Sequence, residues 1–409
     1  EFIATVDPGD GSSATLFQIT FSQRIYFVVE LTDLRIRVFD QTGKIILDGV
    51  TPYTHIQLHG KDGLQHYYKA SQSPTGDKMV IVGPENPPYE LLFDIDLGTA
   101  TFQLITFTAE PPEWSATPGN YPTTVTFYQN RSWWGGCKDQ PTTVWSSKSN
   151  VYYDMTVGTL ADDAIVFQIA RQGQIRWLEG SKNLLCGTDF NEFIFEAESG
   201  VLQPGDIRVE RQSSFGSSWV QPRMIGNEVM FVTSDRRKLR TMWWRILEVG
   251  GWSSRDATFT AEHITEDLPI HMIFARNPFS VVMLTRDDGE VACCSYFRQE
   301  NGEPSIGWYR MQNDYFDFKC LAAPENEGRS EFWAVVTDGT DIKLLRKTMR
   351  DYKDDEEVFL DCYQRVTHGS PVYTTVFNRG GFYSDTVDVV ADGFHYPGLT
   401  LAPDGSVTL

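Results

Sequence analysis

The sequence predicts an all-β fold made of four-stranded antiparallel units, and three observations carry that prediction. Short runs rich in Val, Ile, Phe, Tyr, Trp and Thr recur along the chain, separated by clusters of Gly, Asp, Asn, Pro and Ser. Aromatic residues make up 13% of 409, including 26 Phe and 11 Trp, which supplies the flat side chains that a pleated surface accommodates well. No stretch reads convincingly as an amphipathic helix: the best, Asp341 to Tyr352, reads equally well as a strand followed by a polar loop.

The first strand signals are Leu16–Phe21, Arg24–Leu31, Arg35–Phe39 and Lys44–Leu47, the last two joined by a short turn, Asp40–Gly43, whose Gly supplies positive φ. The clearest unit is Ile270 to Gln312. It reads as strand His271–Phe274, turn Asn277-Pro278, strand Ser280–Leu284, turn Asp287–Gly289, strand Glu290–Tyr296, loop Glu300–Pro304 and strand Gly307–Met311. The same plan continues in Phe318–Leu321, Glu331–Val336 and Asp341–Leu345. It also precedes this unit, in Gln174–Leu178, Asn183–Gly187 and Asn191–Phe195, and again in Pro222–Ile225, Glu228–Val232 and Leu239–Ile246. A period of ~45 residues is that of a β-propeller blade, and the N-terminal third has room for two more. A single sheet cannot bury both faces, whereas a ring of sheets packs face to face and leaves only short edges. The spacing favours a β-propeller over two β-sandwiches in tandem. Signatures of common propeller families are missing: no Trp-Asp closes each unit, the pairs Gly135-Gly136, Gly250-Gly251 and Gly380-Gly381 are too widely spaced for kelch repeats, and there is no Asp box.

Asp and Glu total 55 against 35 Lys and Arg, a formal charge of −20, which opposes broad gripping of nucleic-acid phosphates. Such a charge keeps a large protein in solution and would also suit a wall past which DNA slides. No apolar run approaches the ~18 residues of a membrane-spanning helix. The chain opens on Glu1 rather than Met and shows no basic-then-apolar leader, which leaves a removed leader open. The six cysteines, Cys137, Cys186, Cys293, Cys294, Cys320 and Cys362, form no Cys-x-x-Cys pair and read as buried free thiols. Cys293 and Cys294 are adjacent on a strand and so point to opposite faces.

Chemistry-bearing patterns are few. There is no Gly-x-Ser-x-Gly elbow, no Walker loop and no Gly-x-Gly-x-x-Gly. His55 and His59 on a strand would lie ~13 Å apart, too far to share a metal ion, and His263, near Glu266 and Asp267, reads as a capping or surface residue. Carboxylate groups for a glycosidase would be Asp162-Asp163, Asp287-Asp288 or Asp354–Glu357, of which the first two read as turn or strand-entry residues and the last as a solvated acidic run. The basic run Arg236–Arg240 could touch phosphate, but it follows Ser234-Asp235 between two apolar strands and reads first as a hairpin turn. Of Trp133-Trp134 and Trp243-Trp244, one of each pair is expected in the core and the other at an interface. No catalytic, cofactor-binding or metal-binding residue is assigned, and the chain is expected not to be an enzyme.

Val125–Gly136, followed by Pro141–Ser149 and Tyr153-Asp154, resembles a stretch typical of the tail nozzle proteins of short-tailed bacteriophages, a family also described as tail tubular proteins B or as hub and DNA-stabilisation proteins. The resemblance continues through Asp162–Phe167, Ile175–Leu178, Leu184–Thr188, Glu192-Phe193, Leu202, Pro204, Ile207, Val209, Gln212–Gly216, Gly226–Val232, Arg286–Gly289, Gly307-Trp308, Val387–Gly393 and Asp404–Leu409. It implies a structural virion protein, made in the host cytoplasm, that forms a ring, usually of six copies, below the portal and adaptor. Such a nozzle continues the DNA channel, retains the packaged genome and takes part in ejection. The implied partners are copies of itself, the tail adaptor or head-tail connector protein, tail fibres or spikes, and double-stranded DNA passing without sequence specificity. Members usually carry an arm before the strand matching Glu1–Ala4 and further sequence after the last strand, so the chain reads as cut at both ends. The domain expectation is a β-propeller over 1–378, its N-terminal part contributing to a platform domain, and the beginning of a C-terminal β domain over 379–409. Two rival readings remain: a soluble propeller binding glycan or protein through one end of its ring, and a propeller glycosidase.

Overall fold

The computed structural model describes residues 2–6, 14–22, 24–54, 69–116, 119–170, 173–245, 251–266, 269–298, 304–313, 316–347, 375–377, 386–391, 394–400, 402 and 406–408. Seven four-stranded antiparallel sheets follow one another among these residues. Blade 1 comprises Thr15–Thr20, Tyr26–Thr32, Arg35–Asp40 and Ile45–Val50, and blade 2 comprises Lys69–Gln72, Lys78–Gly83, Asn86–Asp94 and Thr99–Leu104. Blade 3 is Thr124–Tyr128, Arg131–Gly135, Thr143–Ser146 and Ile165–Gln168, and blade 4 is Ile175–Gly180, Leu184–Thr188, Glu192–Glu196 and Arg208–Ser213. Blade 5 is Arg223–Ile225, Glu228–Val232, Leu239–Arg245 and Gly251–Asp256, and blade 6 is Pro269–Ala275, Val281–Arg286, Val291–Phe297 and Ser305–Met311. Blade 7 takes Asp317–Ala322, Phe332–Thr337 and Ile342–Lys347 from the far end of the ring and borrows Phe2–Val6 as its fourth strand. The chain is a seven-bladed β-propeller, and the tandem-sandwich alternative falls.

The N-terminal third holds two complete blades and the opening strands of a third, which runs to Gln168 and has no counterpart among the units read from the sequence. Long connections hide the third: one spans 105–123 between blades 2 and 3 and carries its own small hairpin, Ser115–Ala116 with Gly119–Asn120, and another spans 147–164 inside blade 3. Arg131, fully buried, ties down the second of these by donating to the carbonyls of Ser147 (2.7 Å), Ala161 (2.6 Å) and Asp163 (2.6 Å). Beyond the propeller, Thr375–Phe377 pairs with Ser406–Thr408, and Thr386–Ala391 pairs with Phe394–Thr400. The stretch read as either helix or strand is strand over Ile342–Lys347, with its remainder outside the described residues. The only helical turn among the described residues is Glu262–Ile264.

Seven hydrophobic clusters fill the seven seams between blades. Phe27, Val29 and Val38 of blade 1 meet Met79, Ile81 and Leu91 of blade 2, and Met230 and Leu239 of blade 5 meet Val282, Leu284 and Cys294 of blade 6. Each blade therefore buries both of its faces, and its middle strands show no polar side in the alternation: Tyr26–Thr32, Arg131–Gly135, Leu184–Thr188 and Glu228–Val232 are buried at every residue. Fourth strands, at the outer edge, keep exposed positions, as in Thr99–Leu104 and Ser305–Met311. This corrects one expectation. Trp133 and Trp134 do point opposite ways, but both are fully buried, Trp133 in the seam to blade 4 and Trp134 in the seam to blade 2. Trp243 and Trp244 are both half-buried, with Arg298 over the first ring and Lys182 over the second. Five cysteines are buried free thiols, as expected, and Cys293 and Cys294 do face different seams; Cys362 lies outside the described residues.

Polar pairs recur in these apolar seams. The Tyr153 hydroxyl donates to Glu90 (2.6 Å) between the connection in blade 3 and blade 2, Tyr296 donates to Glu228 (2.7 Å) between blades 6 and 5, and Tyr26 donates to Glu331 (2.5 Å) between blades 1 and 7. A buried carboxylate that loses its donor is costly, so each pair holds its two blades in one register. Replacing Tyr153 or Tyr296 by Phe is expected to lower unfolding free energy by about 1–2 kcal/mol each. Urea denaturation should show a shifted midpoint at an unchanged slope, and an unshifted midpoint would refute the role.

Candidate functional site

The first strand of each blade lies at the ring's axis, where neighbouring first strands pack against one another. Paired amide bonds stitch some of them: Gln72 accepts from Thr20 N (3.2 Å) and donates to Thr20 O (2.8 Å). The side chains leave a cavity of about 270 Å³ lined by Gln18, Ser71, Gln72, Glu179, Gln221 and Arg223 among others. A smaller space of about 30 Å³ opens toward the beginnings of the first strands, lined by Thr15, Lys69, Trp219, His271, Lys319 and Cys320 among others. Phe17 and Gln221 border both spaces.

Charge is arranged unevenly along this axis. Lys69 is 4% exposed, and no carboxylate among the described residues pairs with it. Burial pushes its ammonium down to about 7, and the positive charge of Arg176 acts in the same direction. Arg176 itself faces Asp189 at 3.6 Å. Further along, burial pushes the Glu179 carboxyl up to about 7, against the opposing pull of Arg223. Arg223 donates from Nε to the carbonyl of Met272 (2.9 Å), linking blades 5 and 6 across the axis. Lys69 was not legible as a candidate: it opens a short strand, Lys69–Gln72, with no Val, Ile or aromatic residue to announce it.

A second feature lies on one rim of the ring, where turns between second and third strands meet the connections that enter each next blade. Phe190 sits in the turn of blade 4, Phe215 in the connection to blade 5, and Phe259 in the connection to blade 6; Phe190 and Phe259 are largely exposed, Phe259 at 77%, and Phe215 is half-exposed. Backbone bonds hold these segments together: Ser217 N donates to Thr188 O (2.7 Å) and Ser234 N to Gly216 O (3.2 Å). Gly216 has a φ of +75°, and a Cβ there would lie 2.3 Å from Asp189 O, so this close approach requires glycine.

The basic run falls on the same rim as the hairpin turn the sequence predicts. Asp235 accepts from Arg237 N (3.1 Å), and Arg236 adopts a left-handed φ of +57°. Lys238 is held by Asp256 (3.0 Å) and Glu262 (2.7 Å), and Arg240 is buried with its guanidinium 3.3 Å from the centre of the Phe215 ring. Arg236 lies over Trp219, and Arg237 is exposed.

The other predicted candidates do not converge on either feature. His263 is exposed on the Glu262–Ile264 turn. Asp163 accepts from Leu160 N (2.9 Å) and pairs with Lys148 (3.3 Å), and Asp288 is paired with Arg286. His55, His59 and the acidic run from 354 to 357 lie outside the described residues. Among the described residues, no group of three or more His, Cys, Asp or Glu is arranged to hold a metal ion.

The geometry defines a seven-bladed propeller with a polar axis and an aromatic rim that carries Arg236 and Arg237. Among solved structures it is similar to Raptor of Chaetomium thermophilum, with a TM-score of 0.50 at 10% identity over 82% of this chain and 28% of that one. It is also similar to the Cps50 (Swd1) β-propeller domain of Myceliophteria thermophila, with a TM-score of 0.50 at 10% identity over 85% of this chain and 99% of that domain. At this identity the likeness shows the fold, and the chain spans little more than a quarter of the Raptor chain's length. No protein-family profile matches the chain, and no curated protein matches its sequence.

The Lys69 environment predicts a pH dependence. Between pH 7 and 10.5 the unfolded chain holds a proton on Lys69 that the folded chain does not, so this residue makes stability rise with pH across that window. In buffers of large, weakly binding anions, Lys69→Met is expected to be more stable than wild type by about 3 kcal/mol near pH 6, with the difference shrinking toward pH 10.5. Chemical denaturation at several pH values checks this, and a difference that does not change with pH would refute it.

Proposed function

We propose that this propeller is a non-catalytic interaction module that recognises protein partners through the rim of blades 4 to 6. The observation that carries the reading is the rim itself. Phe190 and Phe259, largely exposed, and Phe215, half-exposed beneath Arg240, share this rim with Arg236 and Arg237 on turns fixed by backbone hydrogen bonds, so their display requires little ordering on binding. Exposed aromatics grouped with arginine are the composition of binding hot spots, and Arg236 and Arg237, free of the carboxylates that hold Lys238, favour an acidic partner segment. The fold neighbours support a propeller and leave its ligand open. In a random peptide display, the wild-type chain is expected to enrich acidic sequences containing aromatic residues. The variant Phe190→Ser, Phe259→Ser, Arg237→Glu, checked for an unchanged melting temperature, is expected to lose that enrichment. Equal enrichment by both proteins would overturn the reading.

A more specific reading places the module in a phage tail, as a nozzle subunit in a ring of copies that meets an adaptor, fibres or spikes and passing DNA. What favours it is the run of sequence resemblance, whose densest part, Val125 to Ser149, falls in one built piece of the fold. Trp133, Trp134 and Trp145 there are all buried, and Arg131 anchors the following loop. Under this reading, mass spectrometry of purified tails is expected to find the chain, and immunogold labelling to place it at the distal end. Its absence from the tail would remove this setting and leave the interaction module standing.

A further inference from the structure

We propose that the narrow end of the axial channel is a site for a small anion, of the size of chloride or formate, held by Lys69. The site is independent of the rim. Its cavity, about 30 Å³, has room for one or two water-sized groups, which admits a halide or a single carboxylate and excludes a nucleotide or sugar phosphate. Lys69 from blade 2 and Lys319 from blade 7 line it, together with Thr15 of blade 1 and His271 of blade 6. Arg176 of blade 4 is close enough for its charge to act on the Lys69 ammonium. Two lysines from separate blades therefore line one small space, and among the described residues only Lys319 of the two has a carboxylate, Asp317, beside it.

Their negative counterparts are engaged elsewhere. Asp189 faces Arg176, Asp317 lies 4.0 Å from Lys319, and Glu179 is on the wider cavity, where Arg223 acts on it. The thiols of Cys186 and Cys320 are pushed up by burial and stay neutral. A buried ammonium for which the described residues supply no counter-charge is unfavourable, and a bound anion would supply the charge and let Lys69 keep its proton. Anion binding is therefore coupled to proton uptake at Lys69 and should weaken as pH rises above 7. An anion seated there would also cross-brace the blades at the point where their first strands meet.

The test compares wild type with Lys69→Met and Lys69→Arg in sodium gluconate, whose anion is too large for the space, with chloride or formate substituted at constant ionic strength. Wild type is expected to show a saturable rise in melting temperature of a few degrees at pH 6.5, fading by pH 9. Its chloride should give a broadened ³⁵Cl resonance that formate sharpens by displacement. Lys69→Met is expected to lose both responses and Lys69→Arg to keep part of them. If formate stabilises the protein but chloride does not broaden, the site takes carboxylates rather than halides. No response in wild type, or an equal response in Lys69→Met, overturns the proposal. Should Lys69→Met fail to fold, wild type and Lys69→Arg decide: a chloride or formate response in wild type that high pH abolishes and Lys69→Arg weakens supports the site, and no response to either anion overturns it.

Discussion

Ring closure depends on a pairing between the two ends of the propeller. Phe2–Val6 lies antiparallel to Ile342–Lys347, with Val6 opposite Ile342 and Phe2 opposite Leu345, so the first strand of the chain completes the last blade. The seam between blades 7 and 1 joins residues more than 300 positions apart: Tyr26 with Glu331, Arg346 with the carbonyl of Gln41 (2.6 Å), and Ala323 N with Gln18 (2.6 Å). Around them Leu16, Val28 and Phe39 pack on Trp333, Val335 and Leu344. Without this pairing two blade faces would be open to water, each presenting an apolar surface that the other five blades always bury.

Closure makes the blades equivalent in one respect: each becomes a two-faced core element. That explains both the legible and the illegible parts of the sequence. In blades 4 to 7 the strand signals recur at nearly even spacing: Ile270 to Gln312, read as four strands, coincides with Pro269–Met311, while blades 4, 5 and 7 were read with three strands each, without the fourth strands Arg208–Ser213, Gly251–Asp256 and Phe2–Val6. Blade 3 was hidden because its strands are separated by long ordered connections that break the period. The assignment of one Trp in 133–134 to an interface rested on a sheet with one wet face, which a propeller blade does not have. Adjacent residues still point opposite ways, but both directions lead into a seam.

Sites were harder to see than strands. The basic run Arg236–Arg240 was readable as a turn because Ser234-Asp235 precedes it, and Asp235 does bond the turn. Its coupling to Phe190, Phe215 and Phe259 was not readable, because those residues come from three other connections that only the blade stacking brings to one rim. Lys69 had no local signal at all. A lysine at the start of a short polar strand looks solvated in sequence; it is buried here because the first strand of every blade faces the axis.

The axis also constrains any role involving DNA. The sequence expectation joined an acidic composition to a channel that DNA slides through. The larger space at the axis of this propeller is about 270 Å³, room for roughly ten to twenty water-sized groups, and its lining is mixed, with Arg223 against Glu179. No nucleic-acid duplex threads such an opening. If copies of the chain form a ring around DNA, the lumen must lie between propellers, and the acidity that matters is that of their outer surfaces. Buried carboxylates such as Glu30, Glu90, Glu192 and Glu228 are committed to internal partners and would contribute nothing to such a lumen. Under the proposed reading, the rim of blades 4 to 6 with Arg236 and Arg237 is where an acidic segment would dock, and a DNA-facing wall would have to be built from other parts of the ring.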